Sequence, residues 1–251
     1  IGDSIYATYA DGSITAGAAA TGASVTGSIG ATMTAAIGST FTATGTGTSL
    51  AVTAITGYLS VGDVISGPGV PAGTTIVAQV SGTAGSNGTY TTSTATTASA
   101  ATVTSFGTVI NVTAITGYLS VGDTLSSGGV VTAQLSGTAG GTGRYSFTPA
   151  ATAYLASGAV TAYGTVLNVT AIGSGTLAIG DPVSGTGVPT NAVISAFIGG
   201  TYGGAGLYRL SVSASAYAAS TTVTATAGVL TSFKAMSIAA VGELVKISTR
   251  S

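Results

Sequence analysis

The chain has 251 residues, and only 4% of them are charged, with five Lys and Arg against six Asp and Glu for a formal net charge of −1. It contains no histidine, cysteine or tryptophan, which excludes Ser-His-Asp and Cys-His nucleophile systems, the usual zinc sites and a disulfide framework. Five scattered cations cannot follow a phosphate backbone, so no nucleic-acid partner is expected.

The hydropathy of the chain is high but evenly spread. Mean hydropathy is +0.62, yet Thr, Ser and Gly interrupt every apolar run before it reaches the roughly 18 residues of a membrane span. We therefore expect no membrane span, and no signal peptide, since the chain opens on Ile1 without a basic and then apolar leader. These properties favour a non-enzymatic structural protein without a cofactor or metal.

The first predicted element is an N-terminal region, residues 1–46, which precedes any full repeat. Its segment 23–33 reads Ala-Ser-Val-Thr-Gly-Ser-Ile-Gly-Ala-Thr-Met and resembles the first strand of a repeat without the remainder. The region is interpreted either as an extended arm or as a degenerate repeat.

An internal repeat organises the next 180 or so residues. The segment 50–63 returns nearly unchanged at 110–123 and, more diverged, at 167–181. Each of these three segments ends on an aspartate. The intervals between the aspartates are 60 (123 − 63) and 58 (181 − 123) residues. The repeat is predicted to occupy three ranges, copy 1 at 47–106, copy 2 at 107–163 and copy 3 at 164–228.

Each copy has the pattern of short β-strands. Apolar residues alternate with Thr in period two, Gly-Asp steps mark turns, and the frequent glycines leave little room for a helix. We predict an all-β fold of three tandem small β-sandwich or barrel-like repeats of about 57–60 residues. A C-terminal segment, 229–251, follows and holds four of the eleven charges, at Lys234, Glu243, Lys246 and Arg250, which favours an anchoring or pairing role.

The repeated aspartates, Asp63, Asp123 and Asp181, are the first candidate functional residues. A metal or sugar ligand is one interpretation, but each stands alone, whereas calcium sites and paired-carboxylate hydrolysis need several acids. An Asx-type turn, in which the carboxylate accepts backbone N–H groups, fits the Gly-Asp context better. No catalytic, cofactor-binding or metal-binding residue is therefore predicted.

Glycine clusters at 82–88, 137–143 and 199–206 resemble phosphate-binding loops only superficially. None ends in Lys-Ser or Lys-Thr, and each leads into a tyrosine-containing strand, so hairpin loops with positive φ are predicted. The residues that follow are candidate glycan or subunit contacts, with packing at the core edge as the alternative. They are Tyr90, Tyr145, Tyr208, Arg144 and Arg209.

The repeat resembles a Thr/Gly-rich β-repeat module of tailed-bacteriophage virion surface proteins, of the head decoration or cement type and the fibre type. The resemblance rests on Gly-Thr-x-Leu-x-Val-Thr-Ala-Ile, then Gly-Tyr-Leu-Ser-Val-Gly-Asp, then Gly-Thr-Tyr, and covers about 180 residues. The shortened copy 2 departs from it in lacking the counterpart of 70–75. Similar modules occur in bacterial surface proteins, and the resemblance implies no catalytic residues.

A structural virion protein is therefore expected, a capsid decoration or cement protein that binds the shell and projects its repeats outward. Its partners would be the major capsid protein or other virion proteins, and a homo-oligomer such as a trimer is expected because short strands leave edges that need partners. The alternatives are a receptor-binding tail or head fibre, or a bacterial surface adhesin that recognises glycan. The expected location is the virion surface or, for an adhesin, the bacterial cell surface.

Overall fold

A computed structural model describes residues 22–226 and two short strands at 233–235 and 247–249. Every regular element in these residues is a β-strand, and the pairings are antiparallel. The predicted all-β fold is confirmed. Among the described residues there is no helix long and apolar enough to cross a membrane.

The chain divides into two compact units. The larger comprises Ser28–Val166 and Ser213–Ala219, and the smaller comprises Ile1–Gly27, Leu167–Val212 and Ser220–Ser251. Copies 1 and 2 fall in the larger unit and most of copy 3 falls in the smaller one. Whether the three copies are separate domains stays a prediction.

Eleven strands lie wholly or mostly in the larger unit. They are β1 (Ser24–Ile37), β2 (Ser39–Gly57), β3 (Val64–Ser66), β4 (Ile76–Gly82), β5 (Gly88–Thr96), β6 (Ala101–Phe106), β7 (Val109–Gly117), β8 (Thr124–Leu125), β9 (Val130–Gly137), β10 (Gly143–Thr148) and β11 (Leu155–Ser174). The remaining strands are β12 (Val183–Gly185), β13 (Ile194–Gly200), β14 (Gly206–Leu210), β15 (Ala218–Ala225), β16 (Phe233–Ala235) and β17 (Ile247–Thr249).

Copy 1 forms a ring of strands around its own core. The sheet order is β3-β6-β2-β5-β4, and a bridge between Val64 and Thr75 joins its two ends. Alternation places Leu50 and Val52 inside while Ala51 and Thr53 stay exposed, as the period of a strand with one buried face requires.

Copy 2 repeats this arrangement in the larger unit. Its strands run in the order β1-β7-β10-β9-β8-β11, and β1 also pairs with β11, which closes the ring. The core contains Met33 from β1 together with Ile110, Tyr145 and Phe147. A strand from the N-terminal region is therefore part of the core of copy 2.

The smaller unit contains the corresponding strands of copy 3. There β12 pairs with β15, β13 pairs with β14, and a bridge joins Pro182 to Val193. β16 and β17 form an antiparallel pair. The rest of the 229–251 segment lies outside the described residues, so its predicted anchoring role stays a prediction.

The N-terminal region contains an eight-residue period that the search for long repeats missed. Three octads begin at Gly22, Gly30 and Gly38 and read Gly-Ala-Ser-Val-Thr-Gly-Ser-Ile, Gly-Ala-Thr-Met-Thr-Ala-Ala-Ile and Gly-Ser-Thr-Phe-Thr-Ala-Thr-Gly. Their fourth residues, Val25, Met33 and Phe41, are all buried. Residues 22–45 are thus three successive strand segments, and residues 1–21 lie outside the described residues.

Candidate functional site

The repeated aspartate caps the turn that precedes the second strand of each copy, which is β3, β8 or β12. Its Oδ2 accepts the amide three residues earlier, from Ser60 to Asp63 at 2.9 Å, and the corresponding bonds to Asp123 and Asp181 are both 2.8 Å. Each aspartate is only 2% exposed. The prediction of a turn aspartate whose carboxylate accepts a backbone amide is confirmed, but the donor lies three residues before the aspartate and not two residues after it, as it would in an Asx turn.

Burial changes the acidity of two of these carboxyl groups, those of Asp63 and Asp123. Burial raises the pKa of Asp63 from 3.8 to about 6, although the bonds from the Ser60 amide and the Ser105 hydroxyl act in the opposite direction. The pKa of Asp123 likewise rises to about 6 through burial. These acids are therefore structural groups held in a dry position, which ionise less readily than aspartates in water.

Glycines at the start of the following copy leave space for the second carboxylate oxygen. A Cβ at Gly107 would overlap Oδ1 of Asp63, and a Cβ at Gly164 would overlap Oδ1 of Asp123. The aspartate turn of one copy is therefore packed against the first residues of the next. This contact explains why Phe-Gly-Thr and Tyr-Gly-Thr stand at the two junctions.

The glycine clusters form the hairpin loops between β4 and β5, β9 and β10, and β13 and β14. Gly85, Gly140 and Gly203 have φ of +67°, +64° and +75°, a conformation that favours glycine. Their carbonyls accept the amides of Leu59, Leu119 and Leu177 at 3.0–3.1 Å. The prediction of hairpin loops rather than phosphate-binding loops is confirmed.

The candidate tyrosines lie in the cores of the copies. Tyr90 and Tyr145 are 1% exposed and Tyr208 is 0% exposed. Each hydroxyl donates to a carbonyl of the preceding loop, Ser86 at 2.6 Å, Gly141 at 2.7 Å and Gly204 at 2.8 Å. Burial raises the pKa of Tyr90 and of Tyr145 to about 12.

The glycan-stacking interpretation is therefore wrong for these three tyrosines, because a ring inside the core has no free face to offer a sugar. The alternative interpretation, packing of the tyrosine rings in the core, fits their burial. The hydroxyl is bound to the loop backbone rather than left in water, so each tyrosine pins the hairpin loop of its own copy to its own core.

A glutamine brace in copies 1 and 2 was not foreseen from the sequence. Gln79 donates to the carbonyls of Ser81 and Thr83, at 3.1 and 2.8 Å, and accepts the amide of Gly85 at 2.9 Å. Gln134 makes the same three bonds in copy 2. The signal available in the sequence was the shared Ala-Gln step before each glycine cluster.

Copy 3 replaces this brace with aromatic packing. Phe197 stands where copies 1 and 2 have glutamine, and its ring lies 5.5 Å from that of Tyr202 and 5.3 Å from that of Tyr208. The same loop is thus held either by hydrogen bonds or by ring contacts. A polar ligand-binding role for the glutamines is not needed to explain them.

The two candidate arginines have different surroundings. The Arg144 guanidinium lies over the ring of Tyr58, 4.2 Å from its centroid, and its Nε donates to Ser136 Oγ at 3.2 Å. Arg209 is exposed, and its carbonyl accepts the hydroxyl of Ser195. Subunit contact through either arginine stays a prediction.

A shallow groove of about 260 Å³ surrounds the contact between Arg144 and Tyr58. Tyr58, Val61 and Gln79 of copy 1 line it together with Leu135 and Arg144 of copy 2. The groove is open and contains no acid. Its lining residues contain no His, Asp, Glu or Lys, and its size suits a small polar molecule or an apolar side chain.

Exposed aliphatic side chains recur at two positions of every copy. Val61 and Val121 are 62% and 63% exposed and correspond to Ile179, while Val80 is 67% exposed and corresponds to Leu135 and Ile198. These six residues are called the aliphatic set. Sequence reasoning did not single out this set, because Val61, Val121 and Ile179 lie in the Gly-Asp turns and the other three lie in strands, and neither position by itself marks a side chain as exposed.

The described residues contain no group of three or more His, Cys, Asp or Glu side chains that could hold a metal ion. The repeated acids, tyrosines and glycines are used within the fold. Comparison with known proteins identifies no relative: no protein-family model matches the chain, and neither the curated proteins nor the solved structures yield a match.

Proposed function

We propose that the chain is a non-enzymatic structural protein of a virion surface, a capsid decoration or cement protein. The observation that supports this proposal is the aliphatic set. One exposed valine needs no explanation, but the same two exposed positions in all three copies give the surface a repeated apolar character.

The low charge of the chain supports the same proposal. With five cations and six anions, the surface has little electrostatic repulsion to oppose close association with a shell. The chemistry of the repeated motifs also supports it, because the repeated aspartates and tyrosines each bind the backbone of a turn or a loop within the fold. The partners would be the major capsid protein or other virion proteins.

The proposal predicts that loss of the aliphatic set weakens attachment to the shell. Purified protein carrying Val61→Ser and Leu135→Ser should cosediment with stripped capsids roughly tenfold less well or worse, since each buried aliphatic side chain contributes about 1.5 kcal/mol or more. The matched control is Val77→Ser. Val77 is 51% exposed but its counterparts are Thr132 and Ser195, so its loss should leave attachment unchanged. Equal binding by both variants would argue against the set as the contact.

A receptor-binding fibre or an adhesin is the second candidate, and the groove at Tyr58 and Arg144 favours it. An aromatic ring beside a guanidinium and a glutamine has the mixed character of a sugar-binding site. Arg144→Ala would uncover the ring and should change binding on a glycan array. If neither the native chain nor this variant binds any glycan, the second candidate fails.

A further inference from the structure

The three octads of residues 22–45 are each built into one copy of the repeat, in reverse order along the chain. In the larger unit, Ala31 to Ile37 pair with Ile110 to Gly117 of copy 2, and Thr40 to Ala43 pair with Ala101 to Thr104 of copy 1. In the smaller unit, the amide of Ala225 in copy 3 donates to the carbonyl of Ala23 at 2.7 Å. The first, second and third octads therefore pair with copies 3, 2 and 1, respectively.

The same hydrogen bond marks the register of every octad. The hydroxyl of the threonine in the Val-Thr-Ala-Ile motif donates to the carbonyl of the fifth octad residue. The pairs are Thr170 with Thr26 at 3.2 Å, Thr113 with Thr34 at 3.1 Å and Thr53 with Thr42 at 3.5 Å. One binding geometry is thus used three times.

The first octad position admits only glycine in copies 1 and 2. Gly38 and Gly30 have φ of +76° and +77°. A Cβ at Gly38 would overlap the carbonyl oxygen of Ser105, and one at Gly30 would overlap that of Ala162. The backbone of the octad therefore lies directly against the backbone of β6 in copy 1 and of β11 in copy 2. No residue type other than glycine allows this close approach.

The second octad position distinguishes the copies. In copy 1 the amide of Ser39 donates to Ser105 Oγ at 2.9 Å, the two hydroxyls lie 2.9 Å apart, and Ser105 donates to Asp63 at 3.2 Å. In copy 2 both positions are alanine, Ala31 and Ala162, each fully buried. If the octad of one copy replaced that of the other, a serine would face an alanine, and a buried serine hydroxyl would lose a hydrogen-bond partner.

We propose that each copy of the repeat contains a strand-binding groove whose ligand is an octad, and that in copies 1 and 2 the octad is selected by glycine at its first position and by the side chains at its second and fourth. A second copy of this chain carries the same ligand. The groove can therefore be filled by the chain's own octad or by that of a neighbouring chain. This inference does not depend on the proposed virion function.

The test cuts the folded chain between the octads and copy 1. A protease site inserted after Thr46, in the exposed stretch 46–49, allows the complete protein to fold before cleavage. The cut arm should coelute with the body in size exclusion and separate only in denaturant. Release of the arm in native buffer, with the melting temperature of the body unchanged, would overturn the proposal.

Exchange between chains then tests the groove itself. Isotopically heavy and light cut proteins are mixed, unfolded and refolded, and native mass spectrometry should find heavy bodies with light arms about as often as with heavy arms. When the light arm carries Gly30→Ala and Gly38→Ala, the bodies should prefer wild-type arms roughly tenfold or more, the ratio for about 1.4 kcal/mol. An arm with Thr44→Ala, an exposed octad position, should compete equally. Refolded bodies without arms, or no preference among arms, would contradict the proposal.

Discussion

At the scale of single residues, the repeated aspartate is a turn residue, and in copies 1 and 2 burial raises the pKa of its carboxyl group. Asp63 and Asp123 are each 2% exposed, and each accepts a backbone amide. Because their pKa in the folded state is about 6, the folded chain binds protons more readily than the unfolded chain between about pH 4 and 6. Stability from these groups is therefore present at low pH and lost as the pH rises through this interval.

We expect the free energy of unfolding to fall as the pH rises from about 4 to 7. A rise in pKa from 3.8 to about 6 corresponds to about 3 kcal/mol for each carboxylate. Guanidinium titrations at several pH values measure this loss. The double variant Asp63→Asn and Asp123→Asn keeps an oxygen that can accept the turn amide, so it should flatten the profile. A wild-type stability that increases over the same interval would contradict the assignment.

Glycine at the start of an octad is required by contact as well as by conformation. Gly38→Ala would place a Cβ against the Ser105 carbonyl, whereas Gly62→Ala meets nothing within 4 Å, and both positions have positive φ. Gly62→Ala should cost about 1–2 kcal/mol for the left-handed backbone alone. Gly38→Ala should cost a further 1–3 kcal/mol or so for the overlap, measured by chemical denaturation. Equal losses would show that the strand can move away.

At the scale of elements, the hairpin loops are held by different side chains in different copies. Gln79 makes three hydrogen bonds to the loop of copy 1, while Phe197 contacts two tyrosine rings in copy 3. The loop shape is preserved by its glycines, and the support beneath it varies. We therefore expect that the supporting side chain, Gln79 or Phe197, can be substituted without changing the backbone conformation of the turn.

Gln79→Ala is expected to loosen the loop of copy 1 alone. Loss of the bond to the Gly85 amide should speed hydrogen exchange there roughly tenfold, while the loop of copy 2, held by Gln134, serves as an internal reference. The neighbouring exposed residue Val80 supplies the control variant, Val80→Ala, which should leave exchange unchanged. Faster exchange in both loops would point to a global effect instead.

The sequence was sufficient for the elements whose local chemistry fixes their structure. The Gly-Asp turns and glycine hairpins follow from residue type, since aspartate accepts backbone amides and glycine permits positive φ. The sequence was insufficient for the octads, because a search for a period of about 60 residues does not detect an eight-residue one. It was also insufficient for Tyr90, because the burial of its side chain depends on strands that are distant along the chain. The aliphatic set was missed because half of its members lie in turns and the other half in strands, where branched residues occur on either face.

At the scale of the whole molecule, the chain combines very few charges with apolar side chains exposed at repeated positions. Such a surface is compatible with the proposed contact with a shell protein. The repeated aspartates and tyrosines bind the backbone of their own copies, and the aliphatic set is the part of the surface that we propose contacts the shell. A capsid shell offers a regular surface on which many copies of this chain could bind.

The most direct test of this account is the number of copies of the chain in purified particles, relative to the major shell protein, measured by quantitative mass spectrometry. A decoration or cement protein should be present in numbers comparable with the shell protein. A handful of copies per particle would contradict the decoration role and favour a fibre, and absence from particles would contradict a virion function altogether.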